Sequence, residues 1–229
     1  MNNNYEIIKN IEKLKNGKST NFLDARMQLE IKKRLKKDEY NIYYPYAEAE
    51  KIIFYKYEKP KISLLEIISS DKLEHRDILG SIFSLGLDQS VFGDIILFNN
   101  RYFVYVLDNI KYYFLSNLIN IKKSSVIIEE RPLDELDNFK RQYEEIEIIS
   151  SSERIDTVIS HLIGINRNKI KDLIKNKNII LNYELVQNIS KKLQNGDIFS
   201  IKKYGKYRYN GIYKTTKSGN LIIKISKYI

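Results

Sequence analysis

The chain has 229 residues, no cysteine and two histidines, and its formal net charge is +10 at pH 7. The lack of cysteine excludes disulfides, thiolate catalysis and cysteine-ligated zinc. The first residues lack the basic and apolar pattern of a signal peptide, and no run of about 18 apolar residues is present. We therefore expect a cytoplasmic protein with no membrane span.

The first 59 residues predict a mixed α/β region. Residues 5–15 have the apolar spacing of a helix, and Asp24 is placed to cap a second helix that runs to Lys37. Residues 51–57 are rich in Ile, Phe and Tyr, which favours a strand.

Residues 60–132 predict a β-α-β-β-α-β unit. Asp71 is placed to cap its first helix and Gly86 to end it, and Asn99-Asn100 joins two strand-like runs as a hairpin. The strand-like runs are 62–68, 93–98, 101–106 and 125–130, and the second helix-like run is 109–120. This order is typical of a ferredoxin-like or RRM-like domain.

Residues 133–152 are charged and mostly acidic, which predicts a linker or a linker helix. Residues 153–229 follow as a separate domain that begins with two short amphipathic helices. Val158 and Ile159 lie on the apolar side of the first helix, and Ile170 and Ile174 lie on that of the second. The whole chain is therefore expected to be an α+β protein.

The positive charge is confined to the end of the chain. Residues 151–229 contain 16 basic and 5 acidic residues, whereas residues 1–150 contain 23 basic and 24 acidic residues. An amino-acid bias of the genome would act on both parts alike, so this segregation indicates a surface that binds a polyanion.

Three short motifs in the basic segment have a familiar order. Arg154-Ile155-Asp156 opens the first helix, Asn166-Arg167 precedes the second, and Asn195-Gly196-Asp197 comes before the last strands. The segment resembles the S4 domain, the small αL RNA-binding fold of ribosomal protein S4 and its relatives. Asn166 stands where that family has Ser, and Lys177 stands where it has a turn glycine. The resemblance implies a C-terminal S4 RNA-binding domain.

The candidate RNA-binding residues are basic or hydrogen-bonding side chains at the helix starts and in a Lys- and Tyr-rich run near residue 205. Helix starts attract phosphate through their backbone N–H groups, and Arg can bind two phosphate oxygens at once. Alternating basic and aromatic residues suit contact with RNA backbone and bases. The candidates are Arg154, Asn166, Arg167, Lys169, Lys171, Lys175, Lys202, Lys203, Lys206, Tyr207 and Arg208.

The resemblance to a known family extends over nearly the whole chain. It is carried by residues 20–24, by residues 46–50, and above all by the run from His75-Arg76-Asp77-Ile78-Leu79-Gly80 to Gly93-Asp94-Ile95. These segments resemble the YlmH family of bacterial S4-domain proteins with an RRM-like middle domain. Lys203 and Lys206 depart from the Gly-x-Gly-Arg-Phe pattern that the family tends to have at residues 203–207.

The middle domain offers a second candidate site, formed by His75, Arg76 and Asp94. These residues either hold a partner or RNA at a helix start or serve the structure, with Arg76 paired to Asp77 or Asp94. The sheet of this domain also bears Phe103 and Tyr105 on one face, where RRM domains stack bases. Because residues 61–131 contain 8 basic and 9 acidic residues, core packing or protein contact is favoured over RNA there.

The resemblance implies association with the ribosome. We expect a monomeric, non-enzymatic protein that binds rRNA of the large subunit and peptidyl-tRNA obstructing it, in ribosome-associated quality control. No cofactor, metal or small-molecule substrate is expected. Two alternatives stay open: an adaptor whose N-terminal half recruits a protein, and a generic binder of structured RNA.

Overall fold

The computed structural model describes residues 3–229, with side chains from Tyr5 onward. It consists of two compact units, one that ends at Lys140 and one that spans Arg141–Ile229. Helices and mostly antiparallel sheets are both present in the chain, which makes it an α+β protein as the sequence predicts.

The first unit begins with two helices and a two-stranded sheet. Asp24 caps the second helix as predicted, because its Oδ1 accepts a hydrogen bond from the backbone N–H of Met27 at 2.8 Å. That helix ends before Lys37, since Leu35 is already extended at ψ 147°. The elements are α1 (Asn3–Lys15), α2 (Ala25–Arg34), β1 (Asn41–Tyr43) and β2 (Ile53–Tyr55).

The predicted β-α-β-β-α-β order is present in the rest of this unit. Its four long strands form an antiparallel sheet of order β4-β5-β3-β8, the arrangement of a ferredoxin-like fold. The elements are β3 (Ile62–Ile68), α3 (His75–Ser84), β4 (Phe92–Phe98), β5 (Arg101–Leu107), α4 (Lys111–Asn117), β6 (Asn120–Ile121), β7 (Ser124–Ser125) and β8 (Ile127–Arg131).

Turn chemistry explains most of the boundaries of these elements. Asn99 and Asn100 both have positive φ, 50° and 62°, as a tight hairpin between β4 and β5 requires. Gly86 has φ +74° just beyond α3, which agrees with its predicted role. The cap predicted at Asp71 is wrong. The N-cap of α3 is Glu74, and Leu73, just before it, is buried in the core.

Both faces of this sheet are covered. One face packs against α3 and α4 through Ile78, Ile82 and Phe114. On the other face, Phe103 and Tyr105 are fully buried within a cluster that contains residues from the N-terminal region and from residues 133–139. Phe22, Tyr46 and Ile53 thus pack the N-terminal region onto the sheet as part of the same unit.

The second unit is a six-stranded antiparallel sheet with two helices. Its strand order is β11-β10-β12-β13-β14-β9. The elements are β9 (Tyr143–Ser150), α5 (Ile155–Ile163), α6 (Arg167–Lys175), β10 (Ile179–Leu181), β11 (Glu184–Leu185), β12 (Ile198–Ile201), β13 (Gly205–Thr215) and β14 (Leu221–Tyr228).

The linker predicted at residues 133–152 is wrong for residues 133–136, which form a 3₁₀-helix, and for residues 143–150. Residues 143–150 form β9, which pairs with β14 along its whole length at the edge of the sheet. Ile146 and Ile148 face the core, whereas Glu145 and Glu147 alternate with them on the outer face. Glu145 and Glu147 are thus on the solvent-facing side of a strand.

The core of the second unit lies between its helices and one face of its sheet. Ile155, Val158, Ile159 and Ile170 bring the helices onto that face, where they meet buried residues of β12, β13 and β14. The opposite face of this sheet, which we call the outer face, bears the alternate residues of each strand.

Lys177 follows α6 with φ 57°, a conformation that suits glycine. Its N–H bonds to the carbonyl of Ile174, and the next N–H bonds to that of Leu173. We expect Lys177→Gly to raise the free energy of unfolding by about 0.5 kcal/mol, because relief of strain exceeds the entropy cost of glycine. Denaturant unfolding of both proteins would measure it, and an unchanged or lower stability would show that Lys177 is not strained.

Candidate nucleic-acid interface

Two arginines at the helix starts are held together by one buried carboxylate. Arg154 precedes α5 and donates from Nε and Nη2 to the two oxygens of Asp156, at 3.1 and 3.0 Å. Arg167, the first residue of α6, donates from Nη2 to Oδ2 of the same carboxylate at 2.6 Å. The two guanidinium groups are thereby fixed beside each other, although they are separated by 13 positions in the sequence.

Burial makes Asp156 the anchor of this cluster, which we call the Arg–Asp–Arg cluster. The Asp156 side chain is 1% exposed, whereas those of Arg154 and Arg167 are 36% and 51% exposed. Burial alone would raise the pKa of Asp156, but the hydrogen bonds and charges of the two arginines outweigh it and lower that pKa. The cluster keeps one excess positive charge, presented toward solvent by the two arginines.

The first turn of α6 adds to this basic surface. The Asn166 side chain caps the helix by accepting a hydrogen bond from the N–H of Lys169 at 2.9 Å. Lys169, Lys171 and Lys175 are exposed, as predicted, while the apolar residues of α6 face the core. Asn166 therefore fixes the helix start, and the three lysines supply the charge.

Two lysines that the sequence reasoning missed lie next to Arg154. Lys192 forms an isolated antiparallel bridge with Arg154, and the carbonyl of Lys191 accepts a hydrogen bond from the N–H of Ile155. Both lysine side chains are exposed. In the sequence, only the adjacent pair of lysines before Leu193 indicated a basic site. The structure is needed to show that this pair lies at the start of α5.

The predicted basic and aromatic run is divided between a turn and two faces of β13. Lys202 and Lys203 are exposed in the turn before β13, where Lys203 has φ 74°. Tyr207 is 4% exposed, stacks on Phe199 and donates its hydroxyl hydrogen bond to the carbonyl of Tyr204. The assignment of Tyr207 as an RNA contact is wrong, because strand alternation turns it into the core.

Lys206 and Arg208 lie on the outer face, as the alternation requires. The Nζ of Lys206 is 4.6 Å from the ring centroid of Tyr228, and the Cζ of Arg208 is 5.4 Å from that of Tyr143. These two basic residues are therefore accompanied by tyrosines from β9 and β14 and not by Tyr207.

The second unit as folded remains strongly basic. Residues 141–229 contain 17 basic and 8 acidic residues, a net charge of +9, even though β9 contributes three glutamates. A potential of this sign attracts nucleic-acid phosphates over a distance set by ionic strength.

The three middle-domain candidates are not brought together. Oδ2 of Asp94 accepts hydrogen bonds from the hydroxyl of Tyr46 at 2.6 Å and the N–H of Glu50 at 2.8 Å. Asp94 thus lies on the sheet face that the N-terminal region covers, whereas α3 packs on the other face. Of the two pairings predicted for Arg76, the one with Asp77 is present at 3.7 Å, and the one with Asp94 is not.

At the start of α3, Arg76 bonds to Glu74 at 2.7 Å and lies 3.7 Å from Asp77. Arg76 and His75 are both exposed. Asp94 therefore serves the structure, and His75 and Arg76 stay a separate surface pair.

The sheet of the middle domain offers no RRM-type base platform. Phe103 and Tyr105 are 0% exposed and pack with Phe22, Tyr46 and Leu136. This outcome confirms the prediction that core packing is favoured over RNA stacking at these two residues.

Among residues 3–229, no group of three or more His, Asp or Glu side chains is placed to hold a metal ion. In the same described part of the chain, no helix has the length and apolar character needed to cross a bilayer.

Comparisons with known proteins agree with the sequence motifs. Residues 56–135 match the family model described as "Putative RNA-binding domain in YlmH". This part of the chain is similar to the YlmH family.

One curated relative covers most of the chain. The "Ribosome-associated protein quality control protein P2" of Bacillus subtilis (strain 168) is 27% identical over 213 residues, which are 87% of this chain and 83% of that protein. Among solved structures, the "Cell division protein ylmH from Streptococcus pneumoniae" is 25% identical, with a TM-score of 0.48, and the match covers 59% of this chain and 92% of that chain.

Proposed function

We propose that the chain is a ribosome-associated RNA-binding protein whose C-terminal unit is an S4 domain. The observation that carries this proposal is the Arg–Asp–Arg cluster, in which one buried carboxylate fixes two half-exposed guanidinium groups at adjacent helix starts. Pre-organised guanidinium groups suit phosphate oxygens, and the loss of side-chain freedom on binding is reduced.

The basic surface around the cluster determines the kind of recognition. Lys191 and Lys192 lie beside Arg154, and α6, which begins with Arg167, carries further exposed lysines. The surface offers several cationic donors, so we expect it to bind the phosphates and shape of folded RNA more than base edges.

The name of the Bacillus subtilis relative supports a role in ribosome-associated quality control. For this chain we propose large-subunit rRNA, together with an obstructing peptidyl-tRNA, as the bound RNA. The protein acts in the cytoplasm by binding, without catalysis and without a cofactor.

Sedimentation with purified ribosomal particles tests this function. The full chain is mixed with small subunits, large subunits and large subunits carrying peptidyl-tRNA, over a range of salt concentrations. We expect the protein to stay bound to the peptidyl-tRNA-bearing large subunit at a salt concentration that removes it from the other particles. Specific contacts add affinity to the phosphate contacts, which salt weakens. Equal, salt-labile binding to all three would contradict the proposal and favour a generic RNA binder.

A further inference from the structure

The hairpin formed by β13 and β14 extends past the end of β12. β12 pairs with β13 only over residues 205–208, whereas β13 and β14 stay paired as far as Thr215 and Leu221. The register of this pairing breaks on either side of Ile212, and such bulges bend and twist a strand. We call residues 211–220 of this hairpin the β13–β14 arm.

Hydrogen bonds fix the turn at the tip of the arm. The N–H of Thr216 donates to the carbonyl of Asn220 at 2.7 Å, and the N–H of Gly219 donates to the carbonyl of Thr216 at 2.9 Å. The N–H of Asn220 donates in return to Oγ1 of Thr216 at 3.0 Å. Lys217 is exposed within this turn, so a defined backbone presents its side chain to solvent.

The arm is basic, and exposed apolar side chains lie beside its charges. Ile212 and Tyr213 are 46% and 51% exposed. Lys214 and Lys217 are also exposed, and Nζ of Lys214 is 4.7 Å from the ring centroid of Tyr213. Residues 198–222 contain no Asp or Glu. The two lysines are therefore not neutralised by any residue of the arm itself.

A third lysine near the arm is already paired. Nζ of Lys224 in β14 lies 3.8 Å from the ring centroid of Tyr213, and it is also 3.8 Å from a carboxylate oxygen of Glu147 in β9. We therefore count only Lys214 and Lys217 as the cations that the arm offers to a partner.

The base of the arm lies beside the segment that leads to the Arg–Asp–Arg cluster. A Cβ placed at Gly211 would lie 3.7 Å from Cβ and Cγ of Asn195. Three positions before Asn195, Lys192 forms the isolated bridge with Arg154. Contacts therefore run from the arm through residues 192–195 to the start of α5.

The strand register gives a second path to the same place. Leu221, where the arm ends, is the register partner of Ser150 in β9. Ser150 precedes Arg154 by four positions, which span at most about 14 Å of chain. The arm therefore lies at the end of the second unit that carries the Arg–Asp–Arg cluster.

We propose that the β13–β14 arm contacts the same RNA that the Arg–Asp–Arg cluster binds, with Lys214 and Lys217 against its phosphates. A second point of contact with phosphates fixes the orientation of the bound RNA. The inference rests on the proposed function in taking RNA as the partner, and it adds the hairpin to the surface formed by the helix starts.

Filter binding of the full chain to deproteinised large-subunit rRNA, over a salt series, tests the arm. We expect Lys214→Ala with Lys217→Ala to weaken binding by about three- to tenfold. The slope of log affinity against log salt concentration should fall by about 2, because two phosphate contacts are lost. Lys214→Arg with Lys217→Arg keeps both charges and should bind like the wild type. Lys36→Ala with Lys37→Ala removes the same charge from exposed residues of the first unit and should change neither quantity.

Directed cleavage of the same rRNA gives a second readout that does not depend on the lysines. Because the chain has no cysteine, Ser218→Cys places a single iron chelate at the tip of the arm. Hydroxyl radicals from residue 218 should cut the rRNA at discrete positions. Those cuts should disappear when Arg154→Ala and Arg167→Ala are added, since the arm and the cluster bind one RNA.

The outcomes separate this inference from the proposed function. Wild-type affinity and salt slope in a Lys214→Ala, Lys217→Ala variant that melts as the wild type does would overturn the inference. An equal loss in the Lys36→Ala, Lys37→Ala control would overturn it too, as would the absence of cuts from residue 218 while the protein is bound. If the wild type itself does not bind the rRNA, the proposed function is contradicted instead.

Discussion

Arg154→Ala combined with Arg167→Ala is expected to weaken binding of structured ribosomal RNA by at least about tenfold. Each arginine that contacts RNA contributes roughly 1–3 kcal/mol. The slope of log affinity against log salt concentration should fall by about 2, since two phosphate contacts are lost. Filter binding or fluorescence anisotropy over a salt series measures both quantities.

Two controls make this prediction specific. Lys36→Ala with Lys37→Ala removes the same charge from exposed residues of the N-terminal unit and should leave both quantities nearly unchanged. Arg154→Ala, Arg167→Ala and Asp156→Asn together remove the cluster without leaving a buried, unpaired carboxylate, and this variant should bind as weakly as the double variant. Unchanged affinity in a folded triple variant would refute the site.

Asp156→Asn is expected to lower the free energy of unfolding by about 2–3 kcal/mol at neutral pH. The range is that of hydrogen bonds to a charged group, and it is kept modest because both arginines are half-exposed and can be hydrated. RNA affinity should fall as well, since the guanidinium groups lose their common anchor. Urea unfolding monitored by circular dichroism measures the stability change.

The same variant has a defined pH dependence. The folded-state pKa of Asp156 lies below its unfolded-state value of about 3.9. Its stabilisation is therefore complete above about pH 4 and is lost as the pH falls through the lower, folded-state pKa. The stability difference between wild type and Asp156→Asn should shrink over that acid range.

Asp172 provides the matched control for this measurement. It is an exposed carboxylate on α6, and Asp172→Asn should change stability by less than about 0.5 kcal/mol at any pH. A pH-independent difference between wild type and Asp156→Asn, or equal effects at the two positions, would show that Asp156 does not anchor the arginines.

Much of the first unit could be predicted because its signals are local. The strands of the middle domain, the Asn99-Asn100 turn and the cap at Asp24 each follow from a few neighbouring residues. The packing of the N-terminal region on the sheet could not be predicted, since it depends on contacts such as that of Tyr46 with Asp94, 48 positions apart.

The candidate site was predictable in its charges and less so in its geometry. The resemblance placed Arg154 and Arg167 at helix starts, but only the structure shows that Asp156 binds both. Tyr207 was wrongly assigned to RNA contact, because the basic and aromatic residue types of this run do not tell which side of the strand faces the core. The glutamates of β9 concealed a strand for the same reason, since their charge masked the alternating isoleucines.

Directed cleavage of rRNA tests the central claim most directly. Because the chain has no cysteine, Asn168→Cys provides a single attachment point for an iron chelate beside Arg167, and Lys36→Cys provides one in the N-terminal unit as a control. On large subunits carrying peptidyl-tRNA, hydroxyl radicals from residue 168 should cut large-subunit rRNA at discrete positions. Those cuts should disappear when Arg154→Ala and Arg167→Ala are added. If residue 168 yields no cuts while residue 36 does, the Arg–Asp–Arg cluster does not lie against ribosomal RNA.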